Sequence, residues 1–182
     1  MATTKVDVNL IGATGTPSSS VFLRGDGTWN AAGGGKIVQI VNTQTGAVAT
    51  GTTQSVFDDT IPQNDEGIEF MTLAVTPTSA SNKLIIGVRF NGEHTGVGRF
   101  NMALFQDTTA NALACISSWE NTAETFILDL QHYMAAGTTS ATTFKVRCGM
   151  AGSGTLTFNG DGSARTAGGV LASSITIWEI EV

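Results

Sequence analysis

The sequence is short of charge. Only 13% of its 182 residues are Asp, Glu, Lys or Arg, about half the usual quarter of a globular chain. Just nine of these are basic, and they are scattered, against fifteen acids, for a formal net charge of −6. A surface that neutralises phosphates needs clustered Lys and Arg, so nucleic acid is excluded as a partner, and an acidic surface is equally unsuited to anionic lipid. No apolar run approaches the roughly 18 residues of a membrane span, and no apolar stretch follows Met1-Ala2-Thr3-Thr4-Lys5 as it would in a secretory signal. Neither membrane insertion nor export is expected, and assembly is expected in a cytoplasm. Cysteine is scarce as well. Cys115 and Cys148 stand far apart with no Cys-x-x-Cys, and a reducing cytoplasm makes two buried, reduced thiols the expectation.

Small residues and alternating apolar patterns are abundant. Twenty-two glycines accompany much Thr, Ser and Ala, and hydrophobic residues make up 41%, enough for a single core. Before residue 36 the chain holds one short strand candidate (residues 6–11) and a polar, Gly- and Ser-rich stretch. An apolar cluster, Val21, Phe22, Leu23 and Trp29, then surrounds a tight Gly25-Asp26-Gly27 turn, followed by the soft spacer Ala31-Ala32-Gly33-Gly34-Gly35.

From Lys36 the patterning changes. Residues 36–42 are apolar at 37, 38, 40 and 41, as in a strand covered on both faces. A short edge strand is expected over 54–57 and an imperfectly alternating one over 68–75. Residues 83–90 put Leu84, Ile86, Val88 and Phe90 on one face, and a break is expected at 92–96. Phe100, Met102 and Leu104 share a face, and residues 97–106 and 112–119 form a hairpin around 107–111. Phe126, Leu128, Leu130 and His132 share another face, as do Phe144, Val146 and Cys148. A short strand over 155–158 and a β-prone segment over 170–182 close the chain. In the latter, Thr176, Trp178 and Ile180 oppose Ile175, Ile177 and Glu179, and both faces are partly apolar. The sum is roughly eight to ten short strands with no amphipathic helix: an all-β fold, a jelly roll or β-sandwich head over 36–182, preceded by an extended N-terminal segment over 1–35.

Gly15-Thr16-Pro17-Ser18-Ser19-Ser20-Val21-Phe22-Leu23-Arg24-Gly25-Asp26-Gly27-Thr28-Trp29 resembles a segment found in bacteriophage tail-fibre and related virion proteins, just before a C-terminal head. Phe57-Asp58-Asp59-Thr60-Ile61-Pro62-Gln63, Leu73-Ala74-Val75-Thr76-Pro77 and Ala103-Leu104-Phe105-Gln106-Asp107 are similar to the phage fibre-head family, whose tips are trimeric jelly rolls of the tumour-necrosis-factor kind. The resemblance implies a homotrimeric tail fibre or spike in the virion, assembled in the host bacterial cytoplasm. Val21, Phe22, Leu23, Arg24, Gly25, Asp26, Gly27, Thr28 and Trp29 would attach it to other virion structural proteins. The head would meet a host-surface glycan or protein through loops such as 92–96, 107–111 and 135–140. A capsid decoration or head-fibre protein with the same trimeric jelly roll is the runner-up, and an independent, non-viral carbohydrate-binding module is a third option.

Nothing in the sequence asks for chemistry. Arg24-Gly25-Asp26 reads as a turn, with Gly25 and Gly27 supplying permissive backbone and Asp26 bonding nearby backbone. Gly33-Gly34-Gly35-Lys36 lacks the first glycine and the Ser or Thr of a phosphate-binding loop. Asn159-Gly160-Asp161-Gly162-Ser163 spaces oxygens like a calcium loop, but Val170 stands where the distal glutamate belongs. Asp58-Asp59 and Asp65-Glu66 are loop carboxylate pairs that a cation between subunits would suit, though solvated pairs are the commoner case. His94 and His132 have no nucleophile elbow to serve. No enzyme, cofactor or metal site is expected.

Overall fold

In the computed structural model, described over residues 14–16, 18, 21–31, 36–121 and 124–182, the chain divides into two compact units, residues 1–35 and 36–182. In the first, β1 (Val21–Leu23) and β2 (Trp29–Ala31) pair antiparallel, with Leu23 opposite Trp29. Among the described residues there is no α-helix, only one 3-10 turn at Ala167–Gly169.

The second unit is built on eight long strands. These are β3 (Lys36–Thr45), β5 (Ile68–Val75), β6 (Lys83–His94), β7 (Gly98–Gln106), β8 (Ala114–Glu120), β9 (Thr125–Ala135), β10 (Thr142–Met150) and β14 (Ser173–Glu181). One sheet runs β3-β14-β6-β9, the other β5-β10-β7-β8. Counted along the chain, those orders are 1-8-3-6 and 2-7-4-5, the arrangement of two interlocked Greek keys. The head is a jelly roll. Two short strands, β4 (Ala49–Gly51) and β11 (Leu156–Phe158), continue the β3 and β14 columns along the last residues of β6. The remaining pair, β12 (Gly160–Asp161) and β13 (Ala164–Arg165), forms a small hairpin.

The two-residue period decides the core. Leu84, Ile86, Val88 and Phe90 of β6 face inward, as do Phe100, Met102 and Leu104 of β7, Phe144, Val146 and Cys148 of β10, and Ile175 and Ile177 of β14. One end of this core is aromatic: Phe70 stacks on Phe158 at 4.8 Å and Phe100 meets Phe126 edge-on at 4.6 Å, with Phe90 between.

Several expectations give way to pairing. The strand over 83–90 does not break at Gly92 but runs to His94, because a Cβ at Gly92 would lie 2.5 Å from the Thr157 carbonyl and against the Phe90 ring; glycine there permits close packing. No strand forms over 54–57; the short strand is β4. Bulges account for two further departures. The register slips between Val146 and Arg147, opposite Phe70, so the alternation of β5 is imperfect. A second slip opposite Val38 turns Ile37 and Ile40 to the same, uncovered side of β3, where both are about half exposed; β3 is an edge strand and not covered on both faces.

The register also fixes two ends. Lys36, residues 76–82, 107–113 and 136–141, and Val182 gather at one end of the sandwich, called here the entry end. The links after β6, β8 and β10 lie at the far end.

Candidate functional site

The nine residues expected to attach the protein form a hairpin. Arg24 N–H donates to the Thr28 carbonyl at 2.8 Å and Gly27 N–H to the Arg24 carbonyl at 3.0 Å. Asp26 Oδ1 accepts from Thr28 N–H at 3.1 Å and from the Thr28 hydroxyl at 2.6 Å, and those bonds hold its carboxyl below the usual value. Of the two glycines, only Gly27 uses left-handed backbone, at φ 80°. Arg24 and Asp26 form a loose exposed pair, 3.9 Å apart. Phe22 is half exposed, so this unit presents an apolar side chain that its own hairpin does not cover. The spacer over 32–35 and the strand candidate over 6–11 lie outside the described residues.

On the head, the two outer sheet faces differ. Residues 52–67 fold over the outer face of β5-β10-β7-β8. Ser55 N–H donates to the Met150 carbonyl at 3.1 Å, Asn101 Nδ2 donates to the Val56 carbonyl at 3.1 Å, and Arg147 donates to the Glu66 and Gly67 carbonyls, each at 2.8 Å. Asn101, Ala103 and Phe105, which point outward from that sheet, are thereby buried. The outer face of β3-β14-β6-β9 has no such cover within the described residues. One register row crosses all four of its strands with Ile40, Trp178, Ile85 and Tyr133. Ile37 and Ile180 lie beside it. Ile40 and Tyr133 are 56% and 60% exposed. The Trp178 ring lies across Gly87, where any Cβ would meet it at 2.9 Å. Towards the far end this face becomes polar, with Arg89 paired to Asp129 at 3.4 Å and Gln131 and Thr176 exposed or half-buried.

The three loops suggested for recognition do not share an end. Residues 107–111 and 135–140 are at the entry end. Of 92–96, Gly92, Glu93 and His94 belong to β6, leaving Thr95 and Gly96 as the far-end turn.

Several of the residues weighed for chemistry make structural hydrogen bonds. Asn159 is buried, its amide donating to the Thr45 and Ala47 carbonyls and its oxygen accepting from the Ser173 hydroxyl; it braces the bend between β3 and β4. Glu66 accepts from the backbone of Val56 and Gln63, and Asp58 from Thr60. His94 Nδ1 accepts from Gly96 N–H at 2.9 Å, and burial lowers its pKa; burial lowers that of His132 too. No group of three His, Cys, Asp or Glu suited to a metal occurs among the described residues. Cys148 is buried but Cys115, on the outer face of β8, is exposed, so the expectation of two buried thiols holds for one. Sequence reasoning also missed Glu179. It is fully buried on the core side of β14, with carboxylate oxygens accepting from Thr78, Ser79, Asn82 and Gln39. An acid among apolar positions was the available signal.

No family model matches the chain, and no curated protein matches it. Among solved structures, Eiger TNF from S. frugiperda aligns over 78% of this chain and 93% of its own, at 9% identity and a TM-score of 0.46. The VP2 subviral particle of infectious bursal disease virus aligns over 90% of this chain and 43% of its own, at 13% identity and a TM-score of 0.40. Tailspike protein 4 of bacteriophage CBA120 (enzymatically active domain) aligns over 68% and 19%, at 16% identity and a TM-score of 0.28. At such scores these are likenesses, and the jelly roll stands on the strand order alone.

Proposed function

We propose that this chain is a structural, adhesive component of a bacteriophage virion, a homotrimeric fibre or spike. Residues 1–35 join it to other virion structural proteins and the jelly roll over 36–182 meets the host surface. The observation that carries this reading is the asymmetry of the sandwich. One outer face is covered over β5, β10 and β7 by the chain's own residues 52–67, which leave Cys115 and Trp119 of β8 exposed, while the other keeps Ile37, Ile40, Trp178, Ile85 and Tyr133 in a continuous apolar band. Scattered single hydrophobic residues are normal on a surface, but a contiguous band signals a partner. A second and third copy of the same chain supply that partner in the trimer. The resemblance of residues 15–29 to phage virion segments, together with the hairpin they form, supports attachment by the N-terminal unit.

Sedimentation or light scattering of the full chain tests the first step. A mass of three chains is expected, and Ile40→Asp with Tyr133→Asp should give single chains whose circular dichroism is unchanged. A wild-type monomer at the concentrations of an assembling virion would overturn the trimer. Gold-labelled antibody against residues 36–182 then tests placement on the particle. Label at the tail tip is expected, whereas a regular coat on the phage head would favour capsid decoration. Added protein should compete with phage for host cells; adsorption unchanged at saturation would remove the adhesive role.

A further inference from the structure

We propose that Arg99, Trp119 and Phe57 form a binding site for an anionic saccharide at the far end of the jelly roll. This rests on the reading above only in taking the head to be the part that meets a host surface. Arg99 near the start of β7 and Trp119 near the end of β8 are direct register partners, and Phe57 reaches them from the covering segment. The guanidinium carbon lies 4.8 Å from the Phe57 ring centroid and 5.6 Å from that of Trp119, so the cation is held by two rings. Both rings stay open, Phe57 at 49% and Trp119 at 54% exposure. The indole N–H donates to Asn121 Oδ1, which fixes the ring's orientation.

The guanidinium is the telling group. Arg24, Arg89 and Arg147 each face a carboxylate, of Asp26, Asp129 and Glu69. Among the described residues Arg99 and Arg165 face none, and of these two only Arg99 lies over aromatic rings, its side-chain N–H groups meeting no acceptor. In a chain with fifteen acids and nine bases, an arginine oriented by two rings and free of internal carboxylates is ready to take an anion from outside. Its paired N–H groups match the two oxygens of a carboxylate or phosphate. The exposed indole beside it is a flat apolar surface with the dimensions of a sugar ring's C–H face. A purely apolar protein partner would leave the cation unanswered, and nucleic acid is opposed by the net negative charge. The position fits as well: the cluster sits at the end of the sandwich opposite Lys36, where the chain enters.

Binding of the full chain to three polysaccharides tests this: polygalacturonate (carboxylate), a phosphomannan (phosphodiester) and dextran (neutral). At least one anionic polymer should bind, more weakly as salt is raised, and dextran should not. Binding to the first or the second identifies the source of the anion. R99Q and W119A should each weaken binding by about tenfold or more, with circular dichroism unchanged and the melting temperature lowered only slightly, because Trp119 is half exposed, Arg99 is half-buried and only the contact between them is lost. Anionic polymers that bind no tighter than dextran, or variants that bind like wild type, would overturn the proposal. Loss with R99Q but none with W119A would reduce it to a bare anion contact and overturn the saccharide. The mass measured on the same samples separates the two readings. A trimer that ignores anionic polymers sinks this site alone, and a monomer that binds them sinks the trimer alone.

Discussion

Acid should loosen the head at Glu179 before it loosens it elsewhere. The carboxylate is fully buried yet charged. Burial alone would raise its pKa, but hydrogen bonds from Gln39, Asn82 and Thr78 outweigh that and bring it from 4.5 to about 2. Because the folded value lies below the unfolded one, its stabilisation is fully present above pH 4.5 and is lost as the pH falls through about 2. The gap corresponds to about 3 kcal/mol, a large share of the 5–15 kcal/mol typical of a whole domain. Urea unfolding at fixed protein concentration, stepped from pH 6 to pH 2.5, measures it. Wild type should lose most of this amount between about pH 4.5 and the acid limit. Glu179→Gln, which keeps the shape but turns an amide N–H₂ towards donors, should begin about 3 kcal/mol lower and show a flatter profile. Protection of the Thr78 and Ser79 amides from hydrogen exchange, taken relative to the intrinsic rate at each pH, should fall in the same pH range, since both donate to this carboxylate. Asp26 and Asp58 also sit below their ordinary value through bonds from Thr28 and Thr60, but both are exposed and screened. Parallel pH profiles for wild type and Glu179→Gln would refute the reasoning.

Three other outcomes are expected. Phe90→Ala should cost about 3–5 kcal/mol, read as a drop in thermal or urea midpoint, because its ring is fully buried against Phe70, Phe100, Phe126 and Phe158. A thiol reagent should modify one cysteine per folded chain, Cys115, and two after unfolding; partial desolvation of its sulfur and the Glu66 carboxylate push the Cys115 thiol up, so its rate should climb with pH. Gly27→Val, which forces a β-branched residue to φ 80°, should undo the β1–β2 turn and lower incorporation into virions while leaving the melting of the head unchanged.

Much of the strand pattern was legible along the chain. The apolar faces of β6, β7, β9 and β10 could be named beforehand, because a strand with one face in a core writes its own two-residue period; β14, apolar on both faces, did not show which one turns inward. The Asp26 turn was legible for a related reason: its bonds span two residues and need no distant partner. What could not be foreseen depends on who lies beside whom. Gly92 looks like a breaker until Thr157 and Phe90 are packed against it. Ile37 and Ile40 look like opposite faces until a bulge against β14 turns them to the same side. Glu179 looks like a misplaced charge until Thr78, Asn82 and Gln39, about a hundred residues and more away, bring their donors to it. Arg99 and Trp119 are ordinary singly; strand pairing makes them neighbours.

Local alternation thus determined that the chain is all-β and which side chains share the apolar face of β6, β7, β9 and β10, because those are properties of single strands. The order of strands in the two sheets, the outer face covered by residues 52–67 and the one left open, the buried carboxylate and the aromatic–arginine cluster were decided by the tertiary structure, because each is made by residues that only long-range pairing brings together.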